Sequence, residues 1–88
     1  MKTMEWKDWE VFCRVVEAGS FTMGAELAEV PKSSASAAVS RLETQLGVRL
    51  FERTTRRVRV TEHGQQLYER VAPHFAALRE IKIGRAHV

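Results

Sequence analysis

The stretch Ala18–Thr61, AGSFTMGAELAEVPKSSASAAVSRLETQLGVRLFERTTRRVRVT, decides how this chain is read. It begins with two short helical patterns divided by Glu29-Val30-Pro31. Ser20 or Thr22 can cap the first of them, about Thr22 to Ala28, through a side-chain oxygen. Pro31 pushes Val30 toward extended backbone and belongs at or just before the start of the next helix. From Ser33, the residues Ala35, Val39, Leu42 and Leu46 recur at helical spacing until Gly47, which suits the left-handed C-terminal position. Leu50–Arg53 and Arg57–Val60 then read as two short strands around Thr54-Thr55-Arg56, with Val58 and Val60 alternating with Arg57 and Arg59. Two helices joined by a tight turn and followed by a basic hairpin predict a winged helix-turn-helix. The fold class is mainly α, with a three-helix core, a two-stranded β wing and a C-terminal linker helix.

Upstream, Trp6, Trp9, Phe12, Cys13 and Val16 recur at helical spacing, with Lys7, Asp8, Glu10, Arg14 and Glu17 between them. That pattern predicts an amphipathic first helix whose apolar stripe floors the core. Gly19 suits the positive φ of its C-terminus, and Phe21 should plug into the core. Downstream, Thr61 is a good N-cap, Glu62 complements the dipole of the helix it opens, and Leu67, Val71, Phe75 and Leu78 continue at helical spacing. This second stripe would be exposed unless it met another helix, so it is expected to form the seam of a homodimer. Pro73 within it should bend the helix or leave one carbonyl unpaired. The expected organisation is a DNA-reading domain over 4–61, a linker and dimerisation helix over 62–81, and a tail over 82–88.

Charge agrees with that organisation. The 88 residues carry a net charge of +3, but Lys32 to Arg59 alone holds seven basic residues against Glu43 and Glu52, a local +5. A basic stripe on a near-neutral remainder is the footprint of phosphate binding, although a charge run can also be a solvated face. The helix from Ser33 presents Ser33, Ser36, Ala37 and Ser40 opposite its apolar face. Small side chains let such a helix sit deep in a major groove about 12 Å wide.

Other chemistries find no foothold. Cys13 is the single cysteine, so neither an intramolecular disulfide nor a thiolate cluster is possible, and its place on an apolar face makes it core. His63, His74 and His87 lack metal-site spacing, and no catalytic triad order, glycine-rich phosphate cradle or close carboxylate pair occurs. No catalytic residue, cofactor or metal is therefore expected. No apolar run approaches the ~20 residues of a membrane span, and nothing resembles a signal peptide, so the expected location is cytoplasmic.

GSFT at Gly19–Thr22, SRLE at Ser40–Glu43, LGVRLFER at Leu46–Arg53 and VTEHG at Val60–Gly64 together resemble the N-terminal domain of LysR-type transcriptional regulators. The similarity runs in order from about Trp6 to Leu78, and PKSS at Pro31–Ser34 resembles one common form of the family's turn. The resemblance implies a bacterial regulator that binds double-stranded promoter DNA as a homodimer through its linker helix, usually within tetramers. It further implies a C-terminal effector domain for a small molecule, which these residues do not include. Carried over by position, it implies major-groove contacts at Lys32, Ser33, Ser36 and Ala37. Phosphate contacts would fall near Ser20, Thr22 and Ser40, and wing contacts on Arg53, Thr54 and Arg56.

The chain departs from the family pattern in places. Ala37 stands where Arg or Lys is most frequent, which removes a side chain able to reach a guanine edge or a phosphate. Ala28 occupies a position that is commonly a larger apolar residue, with Leu27 one place early, so the second helix should rotate or pack lightly. Ala35 replaces a frequent valine and adds to the expectation of a lean core. Lys82–Val88 looks like a translated sequencing adapter, since AAG ATC GGA AGA GCA CAC GTC encodes those residues; on that reading the tail is not native and the absent effector domain is an accident of assembly. Two alternatives to a LysR-type DNA reader are a stand-alone winged-helix repressor of another family and a protein-interaction module whose wing docks on an acidic partner.

Overall fold

The computed structural model describes residues 6–53 and 58–87, with side chains as far as residue 76 on the last helix. The element order is α1 (Trp6–Ala18), α2 (Phe21–Ala28), α3 (Lys32–Leu46), β1 (Phe51–Arg53), β2 (Val58–Val60) and α4 (Glu62–His87). The strands form an antiparallel pair in which Phe51 faces Val60, Glu52 faces Arg59 and Arg53 faces Val58. The predicted winged helix-turn-helix is the observed architecture.

The helix ends follow local chemistry. Ser20 is the N-cap of α2, and its hydroxyl oxygen accepts from the Met23 N–H at 3.0 Å. Thr61 caps α4 in the same way through the Gly64 N–H, also at 3.0 Å. Pro31 takes the N-cap position of α3 without a side-chain bond, so the helix opens at Lys32, one residue before the Ser33 expected from pattern. Gly19 (φ 72°) and Gly47 (φ 73°) turn the chain out of α1 and α3 in the left-handed region. Glu29 does the same after α2 at φ 61°, and it is the one non-glycine residue among those described to do so. α4 passes through Pro73 and stays helical to His87, so no break in backbone structure marks the expected tail boundary at Lys82.

The core is built from Val11, Phe12, Cys13 and Val15 of α1, Phe21, Ala25 and Ala28 of α2, Ala35, Ala38, Val39 and Leu42 of α3, and Leu50, Phe51 and Phe75. Phe21, Cys13 and the Ala35, Val39, Leu42 face are buried as expected. Three expectations need correction. Trp6 is 54% exposed, and the buried stripe of α1 instead runs through Val11 and Val15. Asp8 is 2% exposed although it reads as a surface residue, because its carboxylate is taken up by Arg41 of α3. Leu46 lies at the margin rather than inside, because α3 ends there at Gly47.

The contact between α1 and α2 is close because the buried face of α2 is Phe21, Gly24, Ala25 and Ala28, three of them small. Leu27 accordingly points outward, 55% exposed, while Ala28 takes the buried place. A Cβ on Gly24 would lie 2.7 Å from the Val15 Cα and 2.9 Å from its nitrogen. Backbone cannot yield as a flexible side chain does. Gly24→Ala is therefore expected to destabilise the domain by about 1–3 kcal/mol through overpacking. Glu29→Gly should act in the opposite sense, stabilising by about 0.5–1 kcal/mol as the left-handed strain is relieved against greater unfolded-state entropy. Urea midpoints at unchanged m-value check both.

Candidate nucleic-acid interface

The exposed face of α3 carries Lys32, Ser33, Ala37 and Ser40 along one side, with Ser36 half-buried at its edge. The opposite face, Ala35, Ala38, Val39 and Leu42, is held in the core. Ser36 is therefore less open than its neighbours. Asp8 fixes the helix laterally: its Oδ1 and Oδ2 accept from Arg41 Nη2 and Nε at 2.8 and 3.1 Å. A planar fork on a carboxylate fixes orientation as well as distance, which a single lysine bond would not.

Glu43 ties the wing to α3. Its Oε2 accepts the Leu50 N–H at 2.8 Å and the Phe51 N–H at 3.3 Å, with the Arg49 Nε 4.0 Å away. Thr61 closes the same base of the hairpin from its second strand, since its hydroxyl donates to the Arg49 carbonyl at 2.6 Å and its N–H donates to the Leu50 carbonyl at 2.9 Å. These two side chains bring the hairpin alongside α3. Neither role shows as periodicity in the sequence, although Glu43 and Thr61 both lie within the motifs SRLE and VTEHG.

The wing separates its arginines by face. Residues directly opposite on paired strands share a side of the ribbon. Phe51 and Arg53 thus share the inner side with Val60 and Val58, while Glu52 and Arg59 share the outer side. Arg53 places its guanidinium carbon 4.7 Å from the centre of the Phe21 ring at the start of α2. Ser20 and Thr22 flank that ring in sequence; Ser20 is half-buried as a cap and Thr22 is exposed. Thr54 and Arg56, also expected in the interface, lie outside the described residues.

The expected dimer stripe is partly occupied within the chain itself. Phe75 is 8% exposed and meets Trp6 edge-on, ring centres 5.4 Å apart. Leu67 and Val71 are half-buried against the same core. The premise that this stripe stands open to water is thereby corrected for Phe75: α1 covers it. The Leu78 side chain lies outside the described residues. Tyr68 adds a polar tie from α4 to α1, its hydroxyl donating to Glu17 Oε2 at 2.8 Å while Arg14 donates to Glu17 Oε1.

Among the described residues, no group of three or more His, Cys, Asp or Glu side chains could hold a metal, and no helix is long and apolar enough to cross a membrane. The two-helix turn followed by an antiparallel hairpin places the chain in the winged helix-turn-helix class.

The profile described as bacterial regulatory helix-turn-helix protein, lysR family, matches residues 6–65. The chain is 46% identical over 70 residues to the HTH-type transcriptional regulator CrgA of Neisseria meningitidis serogroup C (strain 8013), covering 80% of this chain and 23% of that protein. It is 45% identical over 67 residues to an HTH-type transcriptional regulator of Xanthomonas campestris pv. campestris (strain 8004), covering 76% and 20%. The chain thus spans about a quarter or less of these relatives. Among solved structures it is similar to the BenM DNA-binding domain in complex with catB site 1 DNA, with TM-score 0.81, 27% identity and coverage of 96% of this chain and 93% of that one. It is also similar to the CbnR DNA-binding domain in its DNA complex, with TM-score 0.78, 29% identity and coverage of 96% and 98%. The chain belongs to the LysR family, and the part it comprises is the family's DNA-binding domain.

Two groups with displaced titration, Cys13 and Tyr68, lie behind the interface. Burial, with Glu17 adding to it, pushes the Cys13 thiol from 9.0 up to about 12. Burial and then the hydrogen bond to Glu17 push the Tyr68 hydroxyl from 10.0 up to about 12. Both are acids held protonated in the folded chain, so unfolding above their ordinary values releases protons. Stability from these groups is complete below pH 9 and falls as pH rises from there toward 12. In Cys13→Ala the alkaline decline should begin nearer the ordinary tyrosine value of 10.0, as read from urea midpoints across that range.

Proposed function

We propose that this domain binds double-stranded promoter DNA in a sequence-specific manner, with α3 in the major groove and the wing against the backbone or minor groove. The observation that carries the reading is the exposed, small-residue face of α3 opening at Lys32, held by Asp8 and Glu43 beside a hairpin whose Arg53 faces inward. Lys32, Ser33, Ser36 and Ala37 read base edges, and Ala37 supplies a methyl surface rather than a guanidinium. Ser20, Thr22 and Ser40 meet phosphates; the Ser20 oxygen accepts within α2, which leaves its proton to donate. Arg53, with Thr54 and Arg56, contacts the flanking backbone. BenM and CbnR domains of the same fold are described in complexes with DNA, which supports this assignment.

The domain acts as a homodimer through α4 and, in a full-length regulator with a small-molecule effector domain, within a tetramer in the cytoplasm. Leu67 and Val71 contribute the edges that their own core leaves uncovered, with Leu78 further along the helix. Phe75 supports this surface from below. On a palindromic duplex, Val71→Asp should lower the cooperativity of two-chain binding while binding to an isolated half-site is retained. Sedimentation with DNA checks this, and undiminished cooperativity overturns the seam.

Salt titration on duplex DNA tests the central claim, because each released phosphate contact contributes about −0.9 to the slope of log affinity against log salt. Lys32→Ala and Ser36→Ala are expected to relax the selected binding sequence, each good base contact supplying roughly 1–3 kcal/mol of discrimination. A salt-independent affinity would instead favour a protein-docking module. An unaltered selected motif in both variants would remove α3 from the groove.

A further inference from the structure

We propose that Phe21 is a positioning residue for the wing: its ring is the platform that holds the Arg53 guanidinium toward DNA, a role that rests on the DNA-binding reading above. The argument begins with the ribbon. Arg53 ends β1 on the same side as Phe51 and opposite Val58, so its stem departs toward the helices rather than toward the outer face shared by Glu52 and Arg59. There it meets Phe21, with the guanidinium carbon 4.7 Å from the ring centre. A cation over an aromatic face within about 6 Å is attracted by the ring quadrupole.

The platform is itself immobilised. Phe21 is nearly buried, and its ring packs against Phe51 with centres 5.6 Å apart and planes at 63°. Phe51 in turn packs on Phe12 of α1 at 5.7 Å. Arg53 is exposed, and among the described residues no carboxylate pairs with it. Its charge is therefore not spent internally. A free arginine carries rotamer entropy that a phosphate contact must overcome. Holding the guanidinium over a fixed ring removes part of that cost before binding and leaves its charge unpaired among the described residues.

A merely structural reading is that the Arg53 stem shields the Phe21 ring from water, as long basic side chains often do. The two roles separate when the electrostatics of the ring change without its shape. Replacing Phe21 by 3,4,5-trifluorophenylalanine weakens the negative ring face while keeping an apolar ring of similar outline. The measurement is the affinity of the whole chain for a short fluorescein-labelled duplex of arbitrary sequence, over a salt series, in the native and Arg53→Ala backgrounds, with the melting temperature recorded for each.

The fluorinated chain is expected to bind about two- to fivefold more weakly than the unmodified chain at each salt concentration, the range a solvent-exposed cation–π contact supports. In the Arg53→Ala background the same replacement should have no effect on binding. Phe21→Tyr, which keeps an electron-rich ring, should bind as the unmodified chain does. The inference is overturned if fluorination leaves affinity unchanged, or if it weakens binding equally with and without Arg53. If fluorination or Arg53→Ala changes only the melting temperature, Arg53 is a lid and the inference is likewise overturned. Failure of the unmodified chain to bind duplex in a salt-dependent way would remove the DNA-binding reading and this inference together, whereas normal binding without coupling removes this inference alone.

Discussion

The wing exists because Phe51 is inserted between Phe12 and Phe21. Each of those rings comes from a different element, and the Phe51 ring lies 5.7 Å from one and 5.6 Å from the other. Two strands of three residues each have almost no independent stability. Full burial of a phenylalanine contributes about 1.5–3 kcal/mol, enough to dock such a ribbon where a few hydrogen bonds alone would leave it fraying. Glu43 and Thr61 then fix the base of the ribbon, Glu43 by accepting from the Leu50 and Phe51 N–H groups and Thr61 by donating to the Arg49 carbonyl. Everything the wing presents inherits its location from this insertion, including Arg53 two residues further on.

The same packing decides which charges are available outside. The basic run from Lys32 to Arg59 suggests seven equivalent cations, but the fold treats them differently. Arg41 is bound by a nearly buried Asp8, Arg49 stands near Glu43, and Arg59 lies opposite Glu52 on the ladder. Lys32 and Arg53 make no ion pair among the described residues. Local net charge therefore overstates the phosphate-binding footprint. An arginine locked into a bidentate pair orients a helix, whereas one leaning on a neutral ring keeps its full charge for a ligand.

Small residues on both sides of the helix-turn-helix have distinct consequences. Inside, Gly24, Ala25, Ala28, Ala35 and Ala38 bring the helices close. Little apolar area is gained from such residues, so the larger buried side chains, Phe12, Phe51, Leu42 and Leu50 among them, each contribute more of the hydrophobic driving force. Outside, Ser33, Ala37 and Ser40 leave α3 low enough to approach a groove floor. The exposed Leu27 and buried Ala28 reflect the same geometry, since a larger side chain at residue 28 would have to displace helices that already touch through backbone.

The sequence by itself determined the order of elements, the helix cap at Thr61, a cap for α2 at either Ser20 or Thr22, the left-handed exits at Gly19 and Gly47, and the alternation of the second strand. All of these arise from interactions within a few residues, which periodicity and capping chemistry expose directly. It also placed Ser33, Ser36, Ala37 and Ser40 on one outward face of α3, because helical spacing settles faces without knowledge of neighbours; packing then left Ser36 half-buried at the edge of that face. Only the tertiary structure decided that Asp8 is inside, that Trp6 is at the edge, that Phe75 is covered by its own chain, and that Arg53 leans inward rather than standing beside Arg59. Each depends on a partner far away in sequence: Arg41 for Asp8, Trp6 for Phe75, Phe21 for Arg53. A local pattern tells which side of an element is apolar; what lies across from it, and so whether a charge is neutralised or left free to act, is set only when the elements pack.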